Sequence, residues 1–201
     1  MAIKAQGREI RQSLKLPAAV VVLSSVLASS AIARAEVPSQ SVGPVQDSGA
    51  YVRERERYMD TRRVFLSSLL VWGGANVAAG IPIAAVSRDA FGQWFGVQTI
   101  AWGAVNSAIA VVGLATSGSV RRDLDTLGAV EAERRRMQRF LWINAALDVV
   151  YVTAGALLYG LAEDRGARGN GAAILGQGLF LVGFDFLGSF TQGPRAPLSA
   201  P

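Results

Sequence analysis

Four stretches of this chain carry almost no charge, and they limit its fold more than any other feature. Residues 64–86 and 91–120 hold no Asp, Glu, Lys or Arg; residues 140–162 hold only Asp148, and residues 169–192 only Asp185. A helix crosses a hydrocarbon core about 30 Å thick with about 20 residues, so each stretch is long enough to span a bilayer. Backbone amides in lipid must be satisfied within their own segment, which makes each stretch a helix. The chain therefore reads as an all-α membrane protein, four transmembrane helices in an antiparallel bundle, with spans at about 64–86, 94–117, 140–162 and 171–190. The connections "SRDAFGQ" and "EDRGARG" are short, so the first two spans form one helical hairpin and the last two another.

Between the hairpins, residues 118–139 ("GSVRRDLDTLGAVEAERRRMQR") place Leu124, Leu127 and Val130 at helical spacing among Arg and acidic residues. They read as a charged amphipathic loop, lying at the membrane surface or extending the third span. Ahead of the first span, "YVRERERYMDTRR" (51–63) offers Arg53 with Glu56, Glu54 with Arg57, and Arg57 with Asp60 at i,i+3. This fits a short solvated helix or a charged collar at the interface.

At 201 residues and 51% hydrophobic, with a mean hydropathy of +0.31, the chain is too apolar for an ordinary soluble domain. It has no Cys and no His. That removes a disulfide framework, the commonest zinc, iron and copper ligands, and every nucleophile scheme built on a thiol or an imidazole base. No metal, no cofactor and no catalytic residue are expected, and the chain does not read as an enzyme.

The formal charge of +5 is concentrated at the front, where Lys4, Arg8, Arg11 and Lys15 precede an apolar run over 16–33. Small residues at Ala33 and Ala35 suit cleavage before Glu36, so 1–35 reads as a secretory signal peptide; the alternative is an uncleaved first membrane helix. Removal of 1–35 leaves fifteen basic against fourteen acidic residues, and the basic balance no longer points to nucleic acid. Residues 36–50, "EVPSQSVGPVQDSGA", read as a flexible linker, 51–192 as the four-helix transmembrane domain, and 193–201 as a C-terminal tail.

The two hairpins also resemble each other. At a constant offset of 75, eleven of 59 aligned pairs over 60–118 are identical, five of them Gly. Glycine is retained where helix backbones approach closely. The relation reads as two tandem hairpins in a parallel repeat, because a two-helix unit preserves its orientation in the membrane.

A helical period of 3.6 gives each span one stripe of small and polar residues. Gly73, Asn76 and Gly80 share a face in the first; Gly103, Asn106, Ala110 and Gly113 in the second; Asn144, Asp148, Tyr151 and Gly155 in the third; Gln177, Leu181, Asp185 and Gly188 in the fourth. Amides and acids facing lipid would be unsatisfied, so the stripes predict the bundle interior. An intramembrane polar cluster of Asn76, Asn106, Asn144, Asp148, Tyr151, Gln177 and Asp185 follows. Counted along the helices, Asp148 and Asp185 fall in one layer. Asn76 and Asn106, from the echoed "WGGAN" and "WGAVN", are expected to meet just below it. Trp72, Trp102 and Trp142 read as packing or interfacial residues rather than ligands.

An ionisable residue within a membrane is a functional-site hypothesis by default. Two adjacent Asp could share a proton or hold a cation, or could be protonated or amide-bonded and serve as glue between helices. The third possibility, an Asp-dyad hydrolase, is disfavoured because "GFD" at Asp185 lacks the Gly-x-Gly-Asp pattern of intramembrane aspartyl proteases.

The motifs "VWGGANVAAG", "AWGAVNSAIA", "INAALDVVYVTAG" and "GQGLFLVGFDFLG" together resemble an uncharacterised family of small bacterial four-helix membrane proteins with a signal peptide, over roughly 60–192. The resemblance implies a membrane location and carries no reaction; the bacterial inner membrane is the expected location. The expected function is an integral membrane bundle that is structural or binds lipid, a second copy or a membrane partner protein. The alternative is a small transporter or proton-coupled carrier using the Asp pair. Two rules collide over topology. A cleaved signal puts the mature N-terminus, 118–139 and the C-terminus on the periplasmic side, whereas the positive-inside rule disfavours so many Arg there. The signal acts first, and the outer Arg are interleaved with acids.

Overall fold

In the computed structural model, residues 48–193 are described. The signal segment expected at 1–35, the expected linker up to residue 47 and the tail from 194 onward lie outside them. Among the described residues there are five helices and no strand: α1 (Ser48–Val86), α2 (Ala90–Ala115), α3 (Ser117–Asp123), α4 (Leu127–Leu161) and α5 (Arg165–Gln192). The helices α1, α2, α4 and α5 are each long and apolar enough, by length and composition, to cross a membrane.

Helix ends follow local chemistry. Asp89, Thr126 and Asp164 hold extended backbone and accept from the amides of Gly92 (2.8 Å), Ala129 (3.1 Å) and Ala167 (2.8 Å), capping α2, α4 and α5. Each side chain satisfies one of the free N–H groups of a first turn. Arg165 donates to Asp89 at 2.9 Å, which ties the α1–α2 connection to the α4–α5 connection. At the other end of α2, the helix stops at Ala115, two residues short of the expected span, with Thr116 as its cap and Ser117 opening α3.

Each charged segment takes one of its two expected forms. The stretch 51–63 is helical, the first part of α1, which begins at Ser48 and so also takes the last residues of the expected linker. Of 118–139, the part 127–139 extends the third span as the first part of α4, but the segment is not one unbroken element: α3 ends at Asp123 and a break follows. The reason is that 51–72 and 129–154 contain neither Gly nor Pro, so nothing interrupts either helix at its charged end.

These charged ends pack together. Tyr58, Leu124 and Val130 form a buried core. Around it Tyr51 donates to Leu124 O (2.6 Å), Tyr58 to Glu133 (3.3 Å), and Arg121 to Glu56 (2.8 Å). Arg134, only 2% exposed, reaches Glu54 and lies over the Tyr58 ring. Arg62 donates to the carbonyl of Gly113, linking α1 to the end of α2.

Along the apolar length, glycines let backbones touch. A Cβ on Gly73 would lie 2.5 Å from Ser107 Oγ and 2.7 Å from Gly103 O. One on Gly80 would lie 2.8 Å from Gly96 O, so α1 and α2 meet with ascending residues on one against descending residues on the other. Gly155 meets Gly171 and Leu175, and Gly178 meets Val152, giving α4 and α5 the same relation. The outward faces carry large apolar side chains, among them Val71, Val112, Val150, Leu157 and Leu187.

Candidate functional site

The seven polar residues expected to cluster are buried or half-buried. Asn76, Asn106, Asp148, Gln177 and Asp185 are all buried, while Asn144 and Tyr151 are half-buried. They form two groups rather than one.

The first group is a closed ring of hydrogen bonds. Trp72 Nε1 donates to Gln177 Oε1 (3.1 Å), Gln177 Nε2 donates to Asn76 Oδ1, and Asn76 Nδ2 donates to the carbonyl of Trp72 (2.8 Å). The Trp72 ring stacks on Phe180, one turn from Gln177, with centroids 3.7 Å apart. The ring therefore joins α1 to α5, and three donors find three acceptors. Asn76 takes Gln177 as its partner, not Asn106 as its sequence echo suggested. The close approach of Gly103 to the Asn76 Cβ puts helix backbone opposite that residue and leaves Asn106 one turn away.

The second group is centred on Asp148 and Asp185, two buried carboxyls that neighbour each other across α4 and α5. Asp148 Oδ2, Asn106 Nδ2 and Trp102 Nε1 are buried without a partner among the described residues. The Trp102 ring meets Tyr151 edge-on at 5.4 Å, bringing α2 to the α4 face that carries Asp148 one turn earlier. Asn144 makes no side-chain hydrogen bond among the described residues. Chemically this group can hold a proton between two carboxyls; no set of three or more His, Cys, Asp or Glu among the described residues could hold a metal.

A third polar region lies outside the apolar runs, at the charged ends of α1 and α4. Burial, together with the adjacent Glu133 carboxylate, pushes the Tyr58 hydroxyl well above its ordinary value of 10.0, while nearby Arg62 and Arg136 pull the other way. Tyr58 thus stays a donor to Glu133, and Arg136 pairs with the same carboxylate at 2.5 Å.

Sequence reasoning missed several inward polar residues: Arg62, Gln98, Thr99, Glu133, Arg134, Ser189 and Gln192 are all buried. Gln98 and Gln192 could have been found by extending the stripes toward the helix ends. The buried Arg and Glu could not, because their partners lie on other helices.

The chain belongs to a family of unknown function, DUF6992, whose model matches residues 68–186. The matched stretch contains all seven polar residues of the expected cluster, and begins after the charged end of α1. No curated protein and no solved structure matches the chain.

Proposed function

We propose that the chain is a multi-pass protein of a bacterial inner membrane, with a cleaved signal peptide and both mature ends on the periplasmic side. In this reading it is a non-enzymatic bundle that holds lipid, a second copy or a partner protein within the bilayer. The observation that carries the reading is the inside-out distribution of side chains. Amides and carboxyls close on one another in the interior, as in the Trp72–Gln177–Asn76 ring, while Val71, Leu157 and Leu187 stand outward. That arrangement suits lipid outside and packed helices inside. The four helices form an antiparallel bundle of two hairpins in a parallel repeat. Support comes from Asp89 and Asp164, identical caps 75 apart, and from Tyr58 and Glu133, also 75 apart and hydrogen-bonded.

Carbonate extraction of membranes, with reporters fused after Gln192, tests this. The protein stays in the membrane pellet, and alkaline phosphatase at that position is active. Release by carbonate removes the membrane reading; an active cytoplasmic reporter with silent phosphatase overturns the orientation.

A second reading, a proton-coupled carrier, is favoured by one observation: Asp148 and Asp185 are both buried, and Asp148 Oδ2, Asn106 Nδ2 and Trp102 Nε1 lack partners among the described residues. Unmatched polar atoms buried among apolar helices are what a site awaiting a small polar guest would present.

A further inference from the structure

Between α1 and α5, on the outward side of the bundle, lies an open groove of about 720 Å³. Its floor is a run of rings, Trp72 on Phe180 (3.7 Å between centroids) and Phe180 on Phe184 (5.5 Å), and Phe65 backs the last of them, stacked on Phe184 at 4.3 Å. Arg63 stands at one end, the last charged residue before the uncharged run of α1 begins at Val64. It is exposed and makes no ion pair among the described residues. From Arg63 to Ala75, the far end of the α1 lining, is about 18 Å at 1.5 Å per residue, close to one leaflet of a core about 30 Å thick.

Two hydroxyls next to Arg63 set this groove apart. Thr61, Thr99, Thr116 and Thr153 turn their hydroxyls back onto carbonyls of their own helices. Ser67 and Ser68, both lining the groove, make no hydrogen bond among the described residues. They lie about one turn below Arg63, at the depth where the ester carbonyls of a glycerolipid sit beneath its phosphate. A lone cation, then two donors, then an aromatic floor one leaflet long is complementary to an amphiphile with an anionic head.

We propose that this groove binds one anionic glycerophospholipid. The phosphate sits on Arg63, the ester carbonyls accept from Ser67 and Ser68, and an acyl chain lies over Trp72, Phe180 and Phe184. The assignment rests on the membrane reading above and names the lipid class and the residues that take it.

Native mass spectrometry of the full chain in mild detergent, titrated with dioleoylphosphatidylglycerol or dioleoylphosphatidylcholine, tests it. The wild type takes up one phosphatidylglycerol in preference to phosphatidylcholine. Arg63→Gln lowers affinity for phosphatidylglycerol about fivefold, the effect of one cation at an anionic surface, and leaves phosphatidylcholine unchanged. Arg63→Lys retains the preference, Ser67→Ala with Ser68→Ala weakens both lipids, and Arg88→Gln, on the α1–α2 connection, changes neither. Equal uptake by wild type and Arg63→Gln overturns the site, as does an equal loss in Arg88→Gln. So does a dimer mass that survives without lipid and is lost on substitution in the groove. Carbonate extraction of the same variants separates the two failures. A chain that stays in the membrane while Arg63→Gln has no effect sinks only the lipid site, and a chain that is released sinks the membrane reading with it.

Discussion

Gln177 sits where the first hairpin has Trp102 under the offset of 75, and it accepts from a tryptophan, Trp72, while donating to Asn76. Removing one member of that ring strands a buried donor or acceptor, whereas removing two relieves the second of its loss. Asn76→Ala and Gln177→Leu are each expected to cost about 1 kcal/mol, and the double variant less than their sum by about 0.6 to 1.7 kcal/mol, the range for hydrogen bonds between membrane helices. Equilibrium unfolding in mixed micelles measures the cycle; additive losses would show that the ring does not act as a unit. The sequence made the inward direction of both residues readable, because a 3.6-residue period assigns a face. It did not reveal that they meet. Which residues stand opposite depends on the axial offset of two helices, and that offset is decided by backbone contacts far along the chain. Asn76 and Asn106 share a motif, yet it is Gly103 that stands opposite the Asn76 side chain, and Asn76 bonds to Gln177 while Asn106 Nδ2 has no partner among the described residues.

The same glycines govern the fit of whole helices. On α2, a Cβ at Gly103 would lie 2.6 Å from Gly73 O and 2.8 Å from the Val77 amide, both backbone atoms that cannot rotate away. On α1, a Cβ at Gly74 would meet nothing within 4 Å. Gly103→Ala is therefore expected to force α1 and α2 apart at a cost of about 1–3 kcal/mol, while Gly74→Ala stays within about 0.5 kcal/mol of wild type. Thermal unfolding of the two variants in one detergent checks the contrast, and equal melting temperatures would contradict the close approach. The four apolar cores were readable from charge alone, and Asp89, Thr126 and Asp164 are ordinary capping residues at recognisable positions. The charged ends were not readable. Hydropathy treats 51–63 and 127–139 as solvated, yet Tyr58, Glu133 and Arg134 are buried because each neutralises or covers another across α1 and α4. That pairing is a property of three segments meeting, and none of them carries it separately.

For the molecule as a whole, the two readings of its function divide on whether water reaches the level of Asp148 and Asp185. A structural bundle keeps Asn106, 3% exposed and on the stripe shared with Gly103 and Ala110, away from solvent on both sides. A carrier must open a path to it from at least one side, because a proton or polar guest cannot cross dry hydrocarbon. The chain has no Cys, so a single substitution reports on one position without interference. On the bundle reading, Asn106→Cys resists a water-soluble, membrane-impermeant thiol reagent in intact vesicles, while Ser119→Cys, exposed on α3, reacts fully when its side is presented. Asn106→Cys removes the unpartnered amide donor and places a smaller group there, so any added access would favour labelling and make protection the stricter result. Rapid modification of Asn106→Cys, slowed by Asp148→Asn or Asp185→Asn, would instead mark a wet route controlled by the carboxyl pair. The inert bundle would then give way to the proton-coupled carrier as the account of why two acids meet inside four apolar helices.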